Sequence, residues 1–110
     1  MRLMADKKSE LNELRRINAE PTKNSGRGRL NKGDGRIGSL VTVDIKEYKE
    51  SFGLSKKMVA KLNLDSQTNG TRYGMFFVVL GDEEPKQRFA CMPEAMYNEL
   101  IESYEEQHGI

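Results

Sequence analysis

The chain has 110 residues, of which 36% are hydrophobic and 32% charged, and its net charge is +1. This size fits one small domain, and the longest apolar run, residues 75–80, is too short to span a membrane. The amino terminus lacks the apolar stretch of a signal peptide, and a single cysteine, Cys91, excludes an internal disulfide bond. We therefore expect a cytoplasmic protein without a membrane partner, of the size and composition of a bacterial or phage accessory protein.

The small net charge hides a strong asymmetry along the chain. Residues 1–36 carry ten Lys or Arg and five Asp or Glu, residues 37–80 carry six and four, and residues 81–110 carry two and eight. A basic front suits a polyanionic partner, and an acidic end favours solubility. The two ends could also attract each other, within one chain or between two copies. A solvated surface with chance segregation of charge is the plain alternative.

Residues 6–19 are predicted to form the first helix. Leu11, Leu14 and Ile17 recur on one stripe of this segment, charged residues occupy the other faces, and Pro21 ends it. A narrow apolar stripe before a long linker predicts a protein interface made by these three residues. The stripe could pack on the body of the same chain, on a second copy or on another protein, and the sequence leaves these three choices open.

Residues 21–39 are predicted to be a flexible basic arm. They contain half of the ten glycines and five cationic residues against one acid, Asp34, with almost no apolar side chains. Such a segment cannot bury enough surface to offset the entropy of ordering it. Glycines separate the arginines, so guanidinium groups can approach phosphate oxygens, which their planar fork suits. A soluble linker is the alternative, but a linker does not need five cations.

Residues 40–110 are predicted to form a compact domain. Residues 40–48 alternate apolar and polar side chains, which predicts a strand with one buried face, and the continuous apolar run before Gly81 predicts a strand buried on both faces. The remaining predicted elements are a helix at 56–63, for which a strand is the alternative, a turn at 65–70, strands at 71–80 and 86–92 joined by a loop at 81–85, and a last helix from Pro93.

The sum of these elements is an α+β fold. We expect a small antiparallel sheet of about three strands covered by the C-terminal helix, with a separate N-terminal helix and the basic linker. The predicted division is residues 1–20, 21–39 and 40–110.

Several short stretches resemble cofactor or metal motifs, but the residues around them do not fit such sites. Residues 33–38 satisfy G-x-G-x-x-G, but they precede a strand instead of opening a helix, so no dinucleotide site is expected. An EF-hand frame on the same residues would put Leu30, Lys32 and Val41 where oxygen ligands are required. His108 has no partner at zinc-ligand spacing, and no histidine is placed to activate Cys91. We expect no cofactor and no metal.

Catalytic residues are also not expected. A metal-dependent nuclease needs carboxylates distributed over strands with a lysine nearby. Asp44 and Glu47 with Lys46 give only a hint of this arrangement. The sequence therefore predicts that the protein is not an enzyme and has no small-molecule substrate.

The function expected from sequence is nucleic-acid binding by a small regulatory or accessory protein. The predicted contacts are Lys23, Arg27, Arg29, Lys32 and Arg36 in the arm, Lys56 and Lys57 in the short helix, and Arg72 beside a stacking ring, Tyr73. The alternative is an adaptor or inhibitor of a larger machine, docking through the N-terminal helix and the acidic C-terminal helix. A homodimer is possible in either case.

Two short stretches, residues 43–48 and 88–104, are each similar to single-stranded-DNA-binding transcriptional coactivators. Those proteins have a basic tail before a four-stranded sheet and one covering helix. The two similarities require different alignments of this chain, and its N-terminal helix has no counterpart in them. The sequence therefore assigns no family.

Overall fold

The computed structural model describes residues 7–22 and 33–110. In them, the elements in chain order are α1 (Lys7–Arg16), β1 (Glu20–Pro21), β2 (Gly35–Ile37), β3 (Val41–Tyr48), α2 (Lys56–Asn69), β4 (Tyr73–Leu80), β5 (Gln87–Cys91) and α3 (Glu94–His108). The five strands form one sheet in the order β1-β2-β3-β4-β5. The α+β class is confirmed, and the sheet is larger than the three strands expected.

The centre of the sheet is a parallel pair. β3 and β4 run side by side in the same direction from Val41 opposite Tyr73 to Tyr48 opposite Leu80. All other neighbouring strands are antiparallel. A parallel pair needs a crossover connection, and α2 supplies it by carrying the chain back along the sheet. The sheet is therefore mixed, and not wholly antiparallel as expected, because strand patterns in a sequence do not encode direction.

Both faces of the central pair are buried. On one face Val43, Ile45 and Val79 pack in a cluster that includes Leu14 of α1. On the other face Phe76 and Val78 pack against Leu62 of α2. The prediction that the strand before Gly81 is buried on both faces is confirmed, since residues 74–79 are all buried.

The N-terminal helix is part of this core and not a separate element. Leu14 is only 2% exposed, and it lies so close to β2 that a Cβ added at Gly35 would be 2.6 Å from its Cδ2 atom. Leu11 and Ile17 are half-buried beside it. The apolar stripe predicted as an interface thus packs on the body of its own chain, and Leu14 is not available to a partner.

A buried ion pair also fixes α1 to the sheet. The guanidinium of Arg88 in β5 donates to both carboxylate oxygens of Glu13, at 2.9 and 3.0 Å, and Glu13 is buried. Arg88 also donates to Glu84, and hydrogen bonds to these two carboxylates raise its pKa. If α1 moved away from β5, one of these charges would stay buried without its partner, at a large cost in free energy. The ion pair therefore fixes the position of α1.

The second helix is longer than expected. The predicted helix at 56–63 continues to Asn69, so the predicted turn at 65–70 and the alternative strand are both wrong. Ser55 caps the start, accepting from the Met58 N–H, and Gly70 ends the helix in the left-handed region at φ 74°. Polar residues that suggested a turn are bonded inside the fold, as in Ser66, whose hydroxyl donates to the Thr71 carbonyl at 3.0 Å.

Two other predictions change at the ends of the fold. The last helix was expected to cover the sheet, but Met96 is the only buried residue of α3, and α1 and α2 cover the sheet instead. The predicted arm is shorter, because Pro21 belongs to β1 and Gly35–Ile37 forms β2, while residues 23–32 lie outside the described residues. None of the helices that the structure describes is long and apolar enough to cross a bilayer.

We predict that Leu14→Ala lowers the free energy of unfolding by about 2–5 kcal/mol, because it opens a cavity between α1 and the sheet. Urea denaturation measures this change. Leu11→Ala, at a half-buried position of the same helix, is the matched control and should cost clearly less. Equal costs for the two variants would contradict the packing of α1 on the core.

Candidate functional site

Two aspartates from the two sides of the β2–β3 hairpin meet beside β3. Asp34 lies just before β2, and its carboxylate Oδ2 accepts the backbone N–H of Ile45 at 2.6 Å. Its own backbone N–H donates to the Val43 carbonyl at 3.0 Å. The bond to Ile45 places the Asp34 carboxyl beside Asp44, the preceding residue. The hairpin therefore joins two carboxyl groups that are ten residues apart in the chain.

Burial and the neighbouring Asp44 change the acidity of Asp34. Burial, the hydrogen bond to Asp44 and the negative charge of Asp44 raise the pKa of Asp34 to about 7, and Glu10 adds to this, while the Ile45 N–H acts in the opposite direction. A proton on Asp34 relieves the repulsion between the two neighbouring carboxyl groups. The pair is therefore suited to bind a cation in place of that proton.

Two lysines flank the pair. The Nζ atom of Lys46 is 3.4 Å from Oδ2 of Asp44 and 5.9 Å from the centre of the Phe76 ring. The Nζ atom of Lys61 in α2 lies 2.8 Å from Oδ2 of Asp65. Its pKa is raised chiefly by that hydrogen bond and also by the charges of Asp44 and Asp34. The site thus combines adjacent carboxylates with ammonium groups on the α2 side.

A cleft of about 130 Å³ opens beside Asp34, between α1 and β1. Glu10 lines this cleft together with Asp34, so a third carboxylate belongs to the same region. The backbone N–H of Thr22 donates to the Asp34 carbonyl at 3.1 Å, and its hydroxyl donates to the Gly33 carbonyl at 2.6 Å. The described residues at both ends of segment 23–32 are therefore fixed next to the aspartate pair.

The two aspartates offer fewer protein ligands than a metal ion usually has. In residues 7–22 and 33–110, no group of three or more His, Cys, Asp or Glu side chains is placed to hold a metal ion. Mg²⁺ usually keeps several waters and binds through one or two carboxylates plus phosphate oxygens of a substrate. The pair of Asp34 and Asp44 fits that mode, in which a phosphate completes the site.

The sequence identified only part of this cluster. It grouped Asp44 with Glu47 and Lys46, but Glu47 faces α1, where the Ser9 hydroxyl lies 2.6 and 2.8 Å from its two carboxylate oxygens. Asp34 takes the place that sequence reasoning gave to Glu47. Alternation along β3 separates Glu47 from its neighbours Asp44 and Lys46. The available signal for Asp34 was an aspartate between two glycines directly before a strand.

The predicted nucleic-acid contacts are divided by the fold. Lys23, Arg27, Arg29 and Lys32 lie outside the described residues. Arg36 donates to the carbonyl of Asn69, at the end of α2, at 3.2 Å. Lys56 and Lys57 are exposed at the other end of α2, which is about 21 Å long at 1.5 Å per residue. The described members thus form two groups and not one surface.

Arg72 and Tyr73 lie together as expected, but they already have a partner. The Arg72 guanidinium is 5.5 Å from the centre of the Tyr73 ring, and its Nη2 atom is 2.7 Å from a carboxylate oxygen of Glu99 in α3. The Tyr73 hydroxyl donates to the same oxygen. These hydrogen bonds, first that of Tyr73 and then that of Arg72, lower the pKa of Glu99. A base could stack on Tyr73 only beside this contact.

Comparison with known proteins gives no relative, because the chain matches no protein-family model, no curated protein and no solved structure. The function is therefore inferred from the geometry of the site.

We predict that Asp34→Asn changes how stability depends on pH when a chelator is present. The pKa of Asp34 is about 7 in the fold and about 3.9 in an unfolded chain. The folded state therefore binds a proton at Asp34 more tightly than the unfolded state does. Protonation of Asp34 contributes its full stabilisation below pH ~4, and this contribution is lost as the pH rises to ~7. The asparagine variant lacks this loss and should be the more stable form at pH 8.

Urea unfolding of both proteins between pH 4 and pH 8 measures the difference. Asp82→Asn, at an exposed loop position, is the control and should follow the wild type at every pH. A constant difference between wild type and Asp34→Asn would contradict the coupling of the two carboxyl groups.

Proposed function

We propose that this protein binds nucleic acid and hydrolyses its phosphodiester bonds at the site of Asp34, Asp44 and Lys46, with a divalent metal ion such as Mg²⁺. One observation carries the proposal. The Asp34 carboxylate accepts the Ile45 N–H at 2.6 Å, which places it beside Asp44, and the Lys46 ammonium is 3.4 Å from the Asp44 carboxylate.

The proposal departs from the expectation that the protein is not an enzyme. That expectation followed from the lack of carboxylates from different parts of the sheet beside a lysine. Asp34, which the sequence presented as the single acid of a basic arm, supplies the missing group. Nucleic-acid binding, the function expected from sequence, is retained as the first step of the proposed reaction.

Each residue has a physical role in the proposal. Asp34 and Asp44 would hold the metal ion, and the Asp34 carboxyl would release its proton when the ion binds. A divalent ion there supplies Lewis-acid polarisation of a phosphate oxygen and lowers the pKa of bound water. Lys46 places a positive charge where negative charge develops on the phosphate. Glu10 adds negative potential across the cleft and so favours the cation.

Binding of the substrate is assigned to the basic arm. The four cations of segment 23–32 suit a phosphate backbone, with Lys23 and Lys32 as point charges and the arginines as forks, and Arg36 follows them along the chain in β2. The contacts of Thr22 with Gly33 and Asp34 fix the two flanks of segment 23–32 at the cleft. A strand bound by the arm would therefore be kept close to the aspartates.

The adaptor function is less well supported. It required the stripe of Leu11, Leu14 and Ile17 to dock on another protein, and Leu14 is buried in the core of its own chain. The acidic last helix is exposed, but it does not by itself identify a partner outside this chain.

The catalytic proposal predicts Mg²⁺- or Mn²⁺-dependent cleavage of labelled DNA or RNA, measured on denaturing gels. Asp34→Asn, Asp44→Asn and Lys46→Gln should each lower the rate by about 100-fold or more, the loss expected for several kcal/mol of transition-state charge stabilisation. Binding measured by fluorescence anisotropy in Ca²⁺ should change by less than ~3-fold, because no phosphate-binding cation of the arm is altered.

Asp82→Asn is the matched control for the loss of one carboxylate and should cleave like the wild type. Tight binding with no cleavage of any DNA or RNA form in Mg²⁺ or Mn²⁺ would overturn the catalytic step and leave nucleic-acid binding in place. Equal cleavage by wild type and Asp44→Asn would identify a contaminating nuclease.

The binding step makes its own prediction. Replacing Arg27, Arg29, Lys32 and Arg36 with serine should weaken binding similarly for all sequences and flatten its dependence on salt, since up to four phosphate contacts are lost. Anisotropy at low and moderate salt measures both effects. Lys49→Ser, at an exposed site away from the arm, is the control. Unchanged affinity in the fourfold variant would remove the arm from the site.

A further inference from the structure

The last helix leaves an apolar face uncovered. Tyr97 is 53% exposed, Leu100 43%, Ile101 41% and Tyr104 55%. Intervals of three, one and three residues place these side chains on one side of α3. Four large apolar side chains exposed on one helix face are typical of an interaction surface.

An apolar groove lies on the body of the same chain, between α2 and the edge strand β5. It consists of two adjoining hollows of about 440 and 230 Å³, which share Leu54, Val59 and Asn63. Phe76 and Leu62 also line it, with Cys91 of β5. Leu54 is 53% exposed, and Phe89, on the same strand as Cys91, is 55% exposed. The groove is therefore open and unfilled by the described residues of its own chain.

Charge at the two surfaces is complementary. α3 contains five glutamates and no lysine or arginine, and by helical spacing Glu94 and Glu105 flank its apolar face. Lys56 lines the groove and Lys57 follows it in the exposed first turn of α2. In the part of the chain that the structure describes, neither lysine makes an ion pair, and neither do Glu102, Glu105 and Glu106. An apolar helix with acidic flanks thus matches an apolar groove with a basic end.

The α3 helix of the same chain is held away from this groove. Pro93, the residue before α3, itself lines the groove. Met96 packs in the core cluster of Leu14, on the opposite face of the sheet from α2, and Glu99 is bonded to Arg72 and Tyr73. To enter its own groove the helix would have to give up these contacts.

We propose that two copies of this chain form a symmetric dimer in which the α3 helix of each copy lies in the groove between α2 and β5 of the other. The apolar face of Tyr97, Leu100 and Tyr104 fills the groove, and Glu105 on the flank of that face, with Glu102 beyond it, meets Lys56 and Lys57. A two-fold axis repeats the contact, so both apolar helix faces and both grooves are covered. The reciprocal exchange leaves no open surface for further growth of the assembly.

Sedimentation velocity of the full chain tests the oligomeric state. The wild type should be a dimer at about 100 µM, and Leu100→Glu should raise the dissociation constant by at least about 30-fold, as loss of a central apolar anchor does. Asn98→Glu, on the back of the same helix, is the matched control and should remain dimeric. A wild type that is monomeric at this concentration would overturn the proposal, and so would an unaffected Leu100→Glu dimer.

Charge reversal tests which surfaces meet. The double change Lys56→Glu and Lys57→Glu should weaken the dimer about tenfold at low salt, and Glu102→Lys with Glu105→Lys should do the same. Mixing the two double variants should restore association as a heterodimer. Weakening without restoration in the mixture would contradict the pairing of α3 with α2.

Because Cys91 is the only cysteine, disulfide cross-linking tests the register. A chain with Tyr104→Cys and Cys91→Ser, carrying a mass tag, is mixed with the wild-type chain and oxidised. A mixed disulfide between Cys91 and the introduced cysteine supports the helix in the groove. Cross-links only between two copies of the tagged chain would show α3 packed on α3 and would overturn the proposal.

Discussion

Eight consecutive parallel pairs between β3 and β4, of which β4 is buried on both faces, are the constraint on which the fold depends. A two-sided apolar sheet must be covered on both sides, or its apolar residues remain in water. α2 covers one face because the parallel connection carries it there. α1 covers the other face, where Leu14 lies directly over Gly35, a position at which an added Cβ would come within 2.6 Å of it.

The candidate site arises where the sheet becomes narrower. β2 has three residues and β3 has eight, so residues 44–48 of β3 have no strand partner on that side within the described residues. The carboxylate of Asp34 accepts the Ile45 N–H at 2.6 Å, where a strand carbonyl would otherwise be the acceptor. This bond fixes an acidic side chain beside Asp44. The need to satisfy a backbone donor therefore holds two carboxyl groups together at a cost in electrostatic energy.

The edge of the sheet at β5 is also incompletely covered by helices. α2 packs on β3 and β4 but leaves β5 with an exposed Phe89 and an open groove beside Cys91. The chain then continues into α3, whose apolar face is also uncovered. One small body thus has an acid-rich region beside β3 and an unfilled apolar surface between α2 and β5. The two regions adjoin at Phe76, which pairs with Asp44, lies 5.9 Å from the Lys46 Nζ atom and also lines the groove.

The sequence by itself determined the local elements of this protein. Alternation in 41–48, the continuous apolar run of 75–80 and the helical periodicity of α1 and α3 predicted their structures, because burial of apolar side chains acts at the spacing of each element. Its composition also showed a basic segment before residue 37 and an acidic C-terminal end. It placed the polar segment 65–70 in a turn, because polar composition does not show which side chains become hydrogen-bonded in the fold, as Ser66 is to Thr71 and Asn69 to Thr42.

Only the tertiary structure decided how the elements meet. Strand direction, the burial of Leu14 and the ion pair of Glu13 with Arg88 depend on contacts between distant segments. The contact of Asp34 with Asp44 has the same origin. Periodicity assigned Asp44 to a strand, but nothing local marked Asp34 as its neighbour. Local propensity reports what one segment favours, whereas a site made by two segments exists only after the hairpin and the sheet have formed.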